Sequence, residues 1–233
     1  MYEKKFPGSS DTVYQKLREK ILHLELLPLM SVSEIETAAT YDVSRTPVRD
    51  AFKLLEAEGL LEVRPHVGTF VTQIDLEMVT DILYMREQLE IAVLKELAEK
   101  YDDSCRQVVR DKLFKQKEII ESGKEISESS RAFIIEDNEF HYMLYELAGR
   151  SNVHWLFNFM VAQYERFRTL LNLSDKANLE RLYKEHEDLV QCLEEHKTDE
   201  ISNLVSKHIY EGFRQCKDVM KRYPEYFKKE KEK

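Results

Sequence analysis

From Asp75 to about residue 222 the sequence offers amphipathic helical segments and little else. Six of them run roughly over 75–100, 102–123, 127–149, 151–172, 175–197 and 199–222, with apolar residues returning at helical spacing. Residues that start or stop helices mark their limits: Asp75, Asp102, Gly123, Gly149, Ser151, Ser174–Asp175 and Thr198–Asp199. Each helix has an apolar stripe to bury, and the short connections favour antiparallel neighbours. An all-α six-helix antiparallel bundle is therefore the expected architecture over 75–233. Six Gly and five Pro in 233 residues suit a helical chain, and no repeat of fixed period interrupts it.

The first 74 residues read differently. Ser9-Ser10-Asp11 offers an N-cap, followed by Val13, Leu17, Ile21 and Leu24 at helical spacing, with Pro28 as the stop. Ser33-Glu34-Ile35-Glu36 has a serine three residues ahead of a glutamate, the capping-box pattern, and opens a short helix to about Thr40. After the connection Tyr41-Asp42-Val43, Ser44 caps a third helix that tolerates Pro47 in its first turn and ends at Gly59. The period then changes. Leu60–Val63 and Thr69–Thr72 are short β-type runs joined by the turn Arg64-Pro65-His66-Val67-Gly68. Helix, helix, turn, helix and a small hairpin make a winged helix-turn-helix over residues 1–74.

The third helix carries Arg45, Arg49 and Lys53 four residues apart, hence along one face. Net charge does not explain this stripe. Residues 1–75 hold nine Lys/Arg against twelve Asp/Glu, and the whole chain has a formal charge of −9. Any nucleic acid must therefore meet a local patch. Charges on helices usually face only solvent. The turn before this helix and the hairpin after it favour a helix that enters the major groove, where arginine reads guanine or clamps phosphate.

Ser44-Arg45-Thr46-Pro47-Val48-Arg49-Asp50-Ala51-Phe52, followed by Leu54-Leu55-Glu56-Ala57-Glu58-Gly59-Leu60, resembles the signature of GntR-type bacterial transcription regulators of the FadR branch. The hairpin Arg64–Val71 is similar to that family's wing, and the helical remainder to its FCD effector domain. The resemblance implies that Arg45, Thr46 and Arg49 contact operator DNA; Lys53, farther along the helix, is expected to be a phosphate contact at most. It places His66 and Gly68 at the wing tip near the minor groove. Three departures bear on operator choice: Ile35 stands where the family often has arginine, Thr37-Ala38 where it has Leu-Ala, and Asp42 where it has a turn glycine.

Asp137 and His141, four apart, share a helix face; His186 and His208 fall on the fifth and sixth segments of the bundle. A carboxylate and three imidazoles converging in a bundle would suit a zinc-like or other borderline divalent ion. From spacing alone Asp-x3-His is a weak signal, since a single histidine is more often an exposed or hydrogen-bonded residue. The resemblance strengthens it: the metal-binding FCD version carries this motif and a histidine on each of two later helices, matching Asp137, His141, His186 and His208. Zinc is the first expectation, with nickel or manganese as alternatives. His23, His154 and His196 match nothing in that pattern and read as surface or packing residues. Arg86 matches an arginine of the effector-domain motif. It either pairs with Glu90 on its own helix or binds a carboxylate effector, and Arg166 is a second candidate for that role.

These readings converge on a ligand-responsive repressor, acting as a homodimer on an inverted-repeat operator and answering a small carboxylate. Three scattered cysteines, no apolar run of membrane-spanning length and no apolar leader core suggest a cytoplasmic protein. The alternative is a metalloenzyme acting on a small acid at the Asp/His3 site. It leaves the N-terminal third unexplained and lacks a marked general base; Glu139 projects about 160° from His141.

Overall fold

The computed structural model describes residues 9–172, 176–214 and 216–229. The expected boundary at Ser174–Asp175, the first eight residues and the last four lie outside them. By its contacts the chain forms two compact units: one of Met1–Leu76 with Tyr223–Lys233, the other of Glu77–Arg222.

In the first unit, helix α1 (Ser9–Leu22) packs chiefly on α3 (Arg45–Ala57), with α2 (Glu34–Thr40) also against α3. The buried apolar residues are those of the sequence periodicity: Val13, Leu17 and Ile21 on α1, and Val48, Ala51, Phe52 and Leu55 on α3. Because α1 already runs from Ser9, its capping residue falls outside the described residues. The helix ends well before Pro28. Leu24 takes a left-handed φ of 56°, while Leu24 N donates to Ile21 O and Glu25 N to Lys20 O. This is a Schellman cap with leucine in place of glycine.

Ser33 caps α2 by accepting from Glu36 N at 3.4 Å. Ser44 occupies the cap position of α3 but makes no side-chain bond there. Asp42, in the turn between them, has φ 52°. It takes the left-handed conformation that explains why a glycine fits this position, and which aspartate tolerates better than most residues. Asp42→Val is expected to cost about 1–2 kcal/mol in chemical unfolding, and Asp42→Gly to cost nothing; equal losses for both would refute the conformational account.

Strands β2 (Leu61–Arg64) and β3 (Gly68–Val71) form the expected hairpin, pairing Arg64 with Gly68 and Leu61 with Val71. A third strand unforeseen in the sequence, β1 (Ser31–Val32), pairs antiparallel with β3 and gives the order β1-β3-β2.

The second unit is helical: α4 (Leu76–Glu99), α5 (Asp103–Glu121), α6 (Ile126–Leu147), α7 (Ser151–Asn158), α8 (Ala162–Asn172), α9 (Lys176–Glu194), α10 (Thr198–Arg214) and α11 (Cys216–Arg222). The segment expected as one helix over 151–172 is broken at Phe159–Val161 without Gly or Pro. Its halves have different surroundings. Every residue of α8 from Arg166 to Asn172 is buried, so α8 is covered all round. Trp155 and Leu156 of α7, and Phe159 and Met160 of the turn, are exposed. A single straight helix would carry one environment into the other. The sixth expected helix corresponds to α10 and α11, on either side of residue 215.

The chain end also departs from expectation. A single helical domain over 75–233 would contain it. Instead Ile74 N donates to Tyr226 O, Lys228 N to Ile74 O, and Lys228 Nζ lies 2.7 Å from Asp75. Phe227 is buried. A two-way backbone bridge and one buried aromatic side chain account for residues 223–229 belonging to the first unit.

Candidate functional site

The helix-turn-helix presents Arg45, Thr46, Arg49 and Lys53 on the exposed face of α3, opposite the buried Val48 and Phe52. The two arginines are oriented. Arg45 Nη2 donates to Glu34 Oε2 at 3.0 Å and Arg49 Nε to the same oxygen at 2.9 Å. Lys53 reaches Asp50, at 3.4 Å. At the wing tip Val67 N donates to Arg64 O, with His66 at φ 63° and Gly68 at φ 146°. Both positions need left-handed backbone, and only Gly68 adopts it without strain. Arg64 lies over the Phe70 ring and bonds Glu62.

In the helical unit His141 from α6, His186 from α9 and His208 from α10 are buried together, with one candidate ligand nitrogen from each within 4.8 Å of the others. On the far side of each ring an acceptor faces Nδ1. Gln116 Oε1 lies 2.8 Å from His186 Nδ1 and Glu185 Oε2 2.9 Å from His208 Nδ1; Glu90 Oε2 lies 3.3 Å from His141 Nδ1. Acceptors on Nδ1 of His186 and His208 favour that nitrogen as the protonated one and leave their Nε2 lone pairs facing inward, the tautomer that metal-ligating histidines use, whereas His141 Nε2 accepts from Arg86. Burial pushes His141 and His186 below the ordinary histidine range, with His208 adding to the effect at His186. Both rings are therefore neutral at pH 7, as ligands must be.

Asp137, one helical turn before His141, puts Oδ1 3.5 Å from His186 Nε2, while Arg168 Nη1 donates to its Oδ2 at 2.6 Å. Burial would raise the Asp137 carboxyl, but Arg168 and the neighbouring histidines hold it well below the carboxylate range. The buried His186 Nε2 has no hydrogen-bond partner among the described residues. An orphaned buried nitrogen facing a carboxylate and two further imidazoles fits a divalent ion.

Arg86 on α4 is buried beside this group. Nε donates to Glu90 at 2.6 Å, Nη2 bonds His141 Nε2 at 2.8 Å, and Nη1 bonds the Tyr164 hydroxyl. Burial opposes the Arg86 charge, and Glu90 more than restores it. Glu90 is held far below its usual range against the same burial, chiefly by Arg86. The pair with Glu90 and the site position, alternatives in the sequence, are thus both occupied. A cleft lined by Arg86, Asp137, Arg168, Arg181, Asn172 and His208 opens beside the cluster. A second opening shares Arg86 and adds His154, whose burial pushes it down to about 4.

Arg166 does not reach either opening. It is fully buried elsewhere on α8, and burial pushes it down to about 10. Two residues turn a helix by about 200°, so Arg168 faces Asp137 and takes the place expected of Arg166. Glu139, weighed above as a base, lies by Lys112. His196 bonds Ala98 O and joins no cluster.

Known proteins match both parts of this chain. Residues 9–71 match the model of bacterial regulatory proteins of the gntR family, and residues 81–211 the FCD domain. An HTH-type transcriptional regulator in an unstable DNA locus of Streptomyces ambofaciens is 30% identical over 92% of this chain and 88% of that protein. The HTH-type transcriptional repressor RspR of Escherichia coli strain K12 is 26% identical over 94% of this chain and 93% of its own. The solved E. coli McbR/YncC shares the fold, with a TM-score of 0.71 at 16% identity, over 93% of this chain and 99% of that one. No helix among the described residues is long and apolar enough to cross a membrane.

Proposed function

The chain belongs to the GntR family of bacterial regulatory proteins and carries an FCD domain, and we propose that it is a metal-loaded, carboxylate-responsive repressor. DNA-binding regulation, and not catalysis, is what its families and relatives perform, so the metalloenzyme alternative falls. The finer reading rests on one observation: three buried histidines from three helices cluster beside Asp137, with two buried arginines at the adjoining cleft.

Three imidazoles and a carboxylate suit zinc, with nickel or manganese as other ions for the same donors. His141, His186, His208 and Asp137 would hold the ion, which supplies a Lewis-acidic anchor for an acid. Arg86 and Arg168 offer planar donors that match a carboxylate in a bidentate way. A reading head of one helix sees one half-site, so an inverted-repeat operator calls for a two-fold homodimer. The exposed Trp155, Leu156, Phe159 and Met160 supply apolar surface of the kind such a partner covers. Repression is the mode named for RspR, and the cytoplasm is where its DNA would be met. On this reading the first unit binds DNA and the helical unit senses the acid.

A thermal-shift screen of small carboxylates, with and without zinc, nickel or manganese, tests this. A stabilising metal and an acid whose shift requires that metal are expected, since a ligand at a hundred times its Kd adds about 2.7 kcal/mol. The same acid should alter DNA affinity without being consumed. No acid-dependent shift in metal-loaded protein would overturn the effector reading. Arg86→Ala would leave Glu90 buried without a counter-charge; the double change Arg86→Met with Glu90→Gln avoids this. That variant should retain metal and lose the response of DNA binding to the acid.

A further inference from the structure

Glu34 is the first residue of α2, behind its capping Ser33, and its Oε2 atom accepts from both Arg45 and Arg49. One acidic oxygen thus ties together the two cations of the reading helix. The geometry points to Glu34 as a specificity residue, one that orients the reading arginines for base edges and suppresses their attraction to phosphate.

The donors used decide this. Arg49 spends Nε on Glu34, which leaves Nη1 and Nη2, the pair that can address guanine O6 and N7 together. Arg45 spends Nη2 and keeps Nη1 and Nε. A guanidinium buttressed in this way can meet a base edge without giving up its carboxylate bond, and it loses less freedom on doing so. Phosphate gains nothing from that orientation: it sees two cations partly neutralised by one anion. Burial would raise the Glu34 carboxyl, but the bonds from Arg49 and Arg45 hold it below its usual value, so it is ionised wherever the protein binds DNA. Ile35, next along α2, is 63% exposed and adds no cation to offset it. The carboxylate therefore weakens sequence-independent attraction while supporting the contacts that read sequence.

The test uses full-length protein carrying Glu34→Gln and two duplexes. One is recovered by the wild-type protein from a randomised library; the other is a scrambled duplex of equal length and composition. Affinity for the scrambled duplex should rise about five- to tenfold at low salt, the loss of two exposed ion pairs and one repulsive charge. Its log–log salt slope should steepen by about one. The ratio of selected to scrambled affinity should fall about tenfold, with the unfolding midpoint near that of wild type. In an Arg45→Ala, Arg49→Ala background the same substitution should change scrambled affinity by about twofold or less. An unchanged ratio would overturn the proposal. So would an undiminished rise in the arginine-less background, which would make Glu34 a surface charge alone. Metal and acid are absent from this experiment, so its outcome is independent of the effector reading.

Discussion

Replacing Arg45 and Arg49 together by alanine is expected to abolish sequence-selective DNA binding and leave folding almost untouched. Each good bidentate base contact contributes about 1–3 kcal/mol, so each single variant should lose roughly tenfold or more in operator affinity, and the pair most of the discrimination. The folding cost is small because both side chains stand on the exposed face of α3 and their ion pairs with Glu34 are solvent-accessible; pairs of this kind are worth well under about 1 kcal/mol each. Lys53 provides the contrast. Its only described partner is Asp50, and as a phosphate contact its loss should weaken binding to all sequences alike and flatten the salt dependence by about one unit. Fluorescence anisotropy on selected and scrambled duplexes distinguishes the two patterns. Operator affinity unchanged in both single arginine variants would refute the assignment of α3 as the reading helix.

How much of this was legible depended on the range of the forces involved. The reading helix is written locally: Ser44 at its cap, Val48, Phe52 and Leu55 on one face, and Gly59 with φ 70° at its end. The hairpin declares itself through its change of period. By contrast β1 is two residues long, too short for any alternation to register, and it exists because β3 offers it an edge. The break at Phe159–Val161 lacks any local breaker, since it comes from burying α8 on all sides. That same burial hid the phase of α8, and with it the choice of Arg168 over Arg166: a helix with no exposed face leaves no stripe to read. The histidines came from resemblance, since their spacing was weak. What no spacing could supply was their outer partners. Gln116 lies 70 residues from His186 and Glu185 lies 23 from His208, and only the folded bundle brings them to the Nδ1 atoms.

Those outer partners make the metal prediction sharp. Wild-type protein purified with its ion should lose about 5–10 °C of melting temperature on chelation. This follows if the ion contributes about 2.7 kcal/mol at a hundredfold excess over its Kd, and each kcal/mol moves a domain of this size by about 2–4 °C. His208→Ala should melt lower than wild type and show no further fall with chelator. The outer bond from Glu185 would then have no ring to orient, though Arg181 still engages that carboxylate. A chelator shift that persists in His208→Ala would place the ion elsewhere, and none in the wild type would refute a structural ion altogether. The charge at the site says why such an ion should be coupled to an acid. Arg86 is matched by Glu90, Arg168 by Asp137 and Arg181 by Glu185, so the charged side chains around the histidines are already paired. A divalent cation added among neutral imidazoles is an excess of positive charge in a low-dielectric interior, and an anion is its least costly neutraliser. The acid should therefore bind far more weakly to chelated protein. By reciprocity it should tighten the metal by the same factor, which a metal titration with and without the acid measures directly.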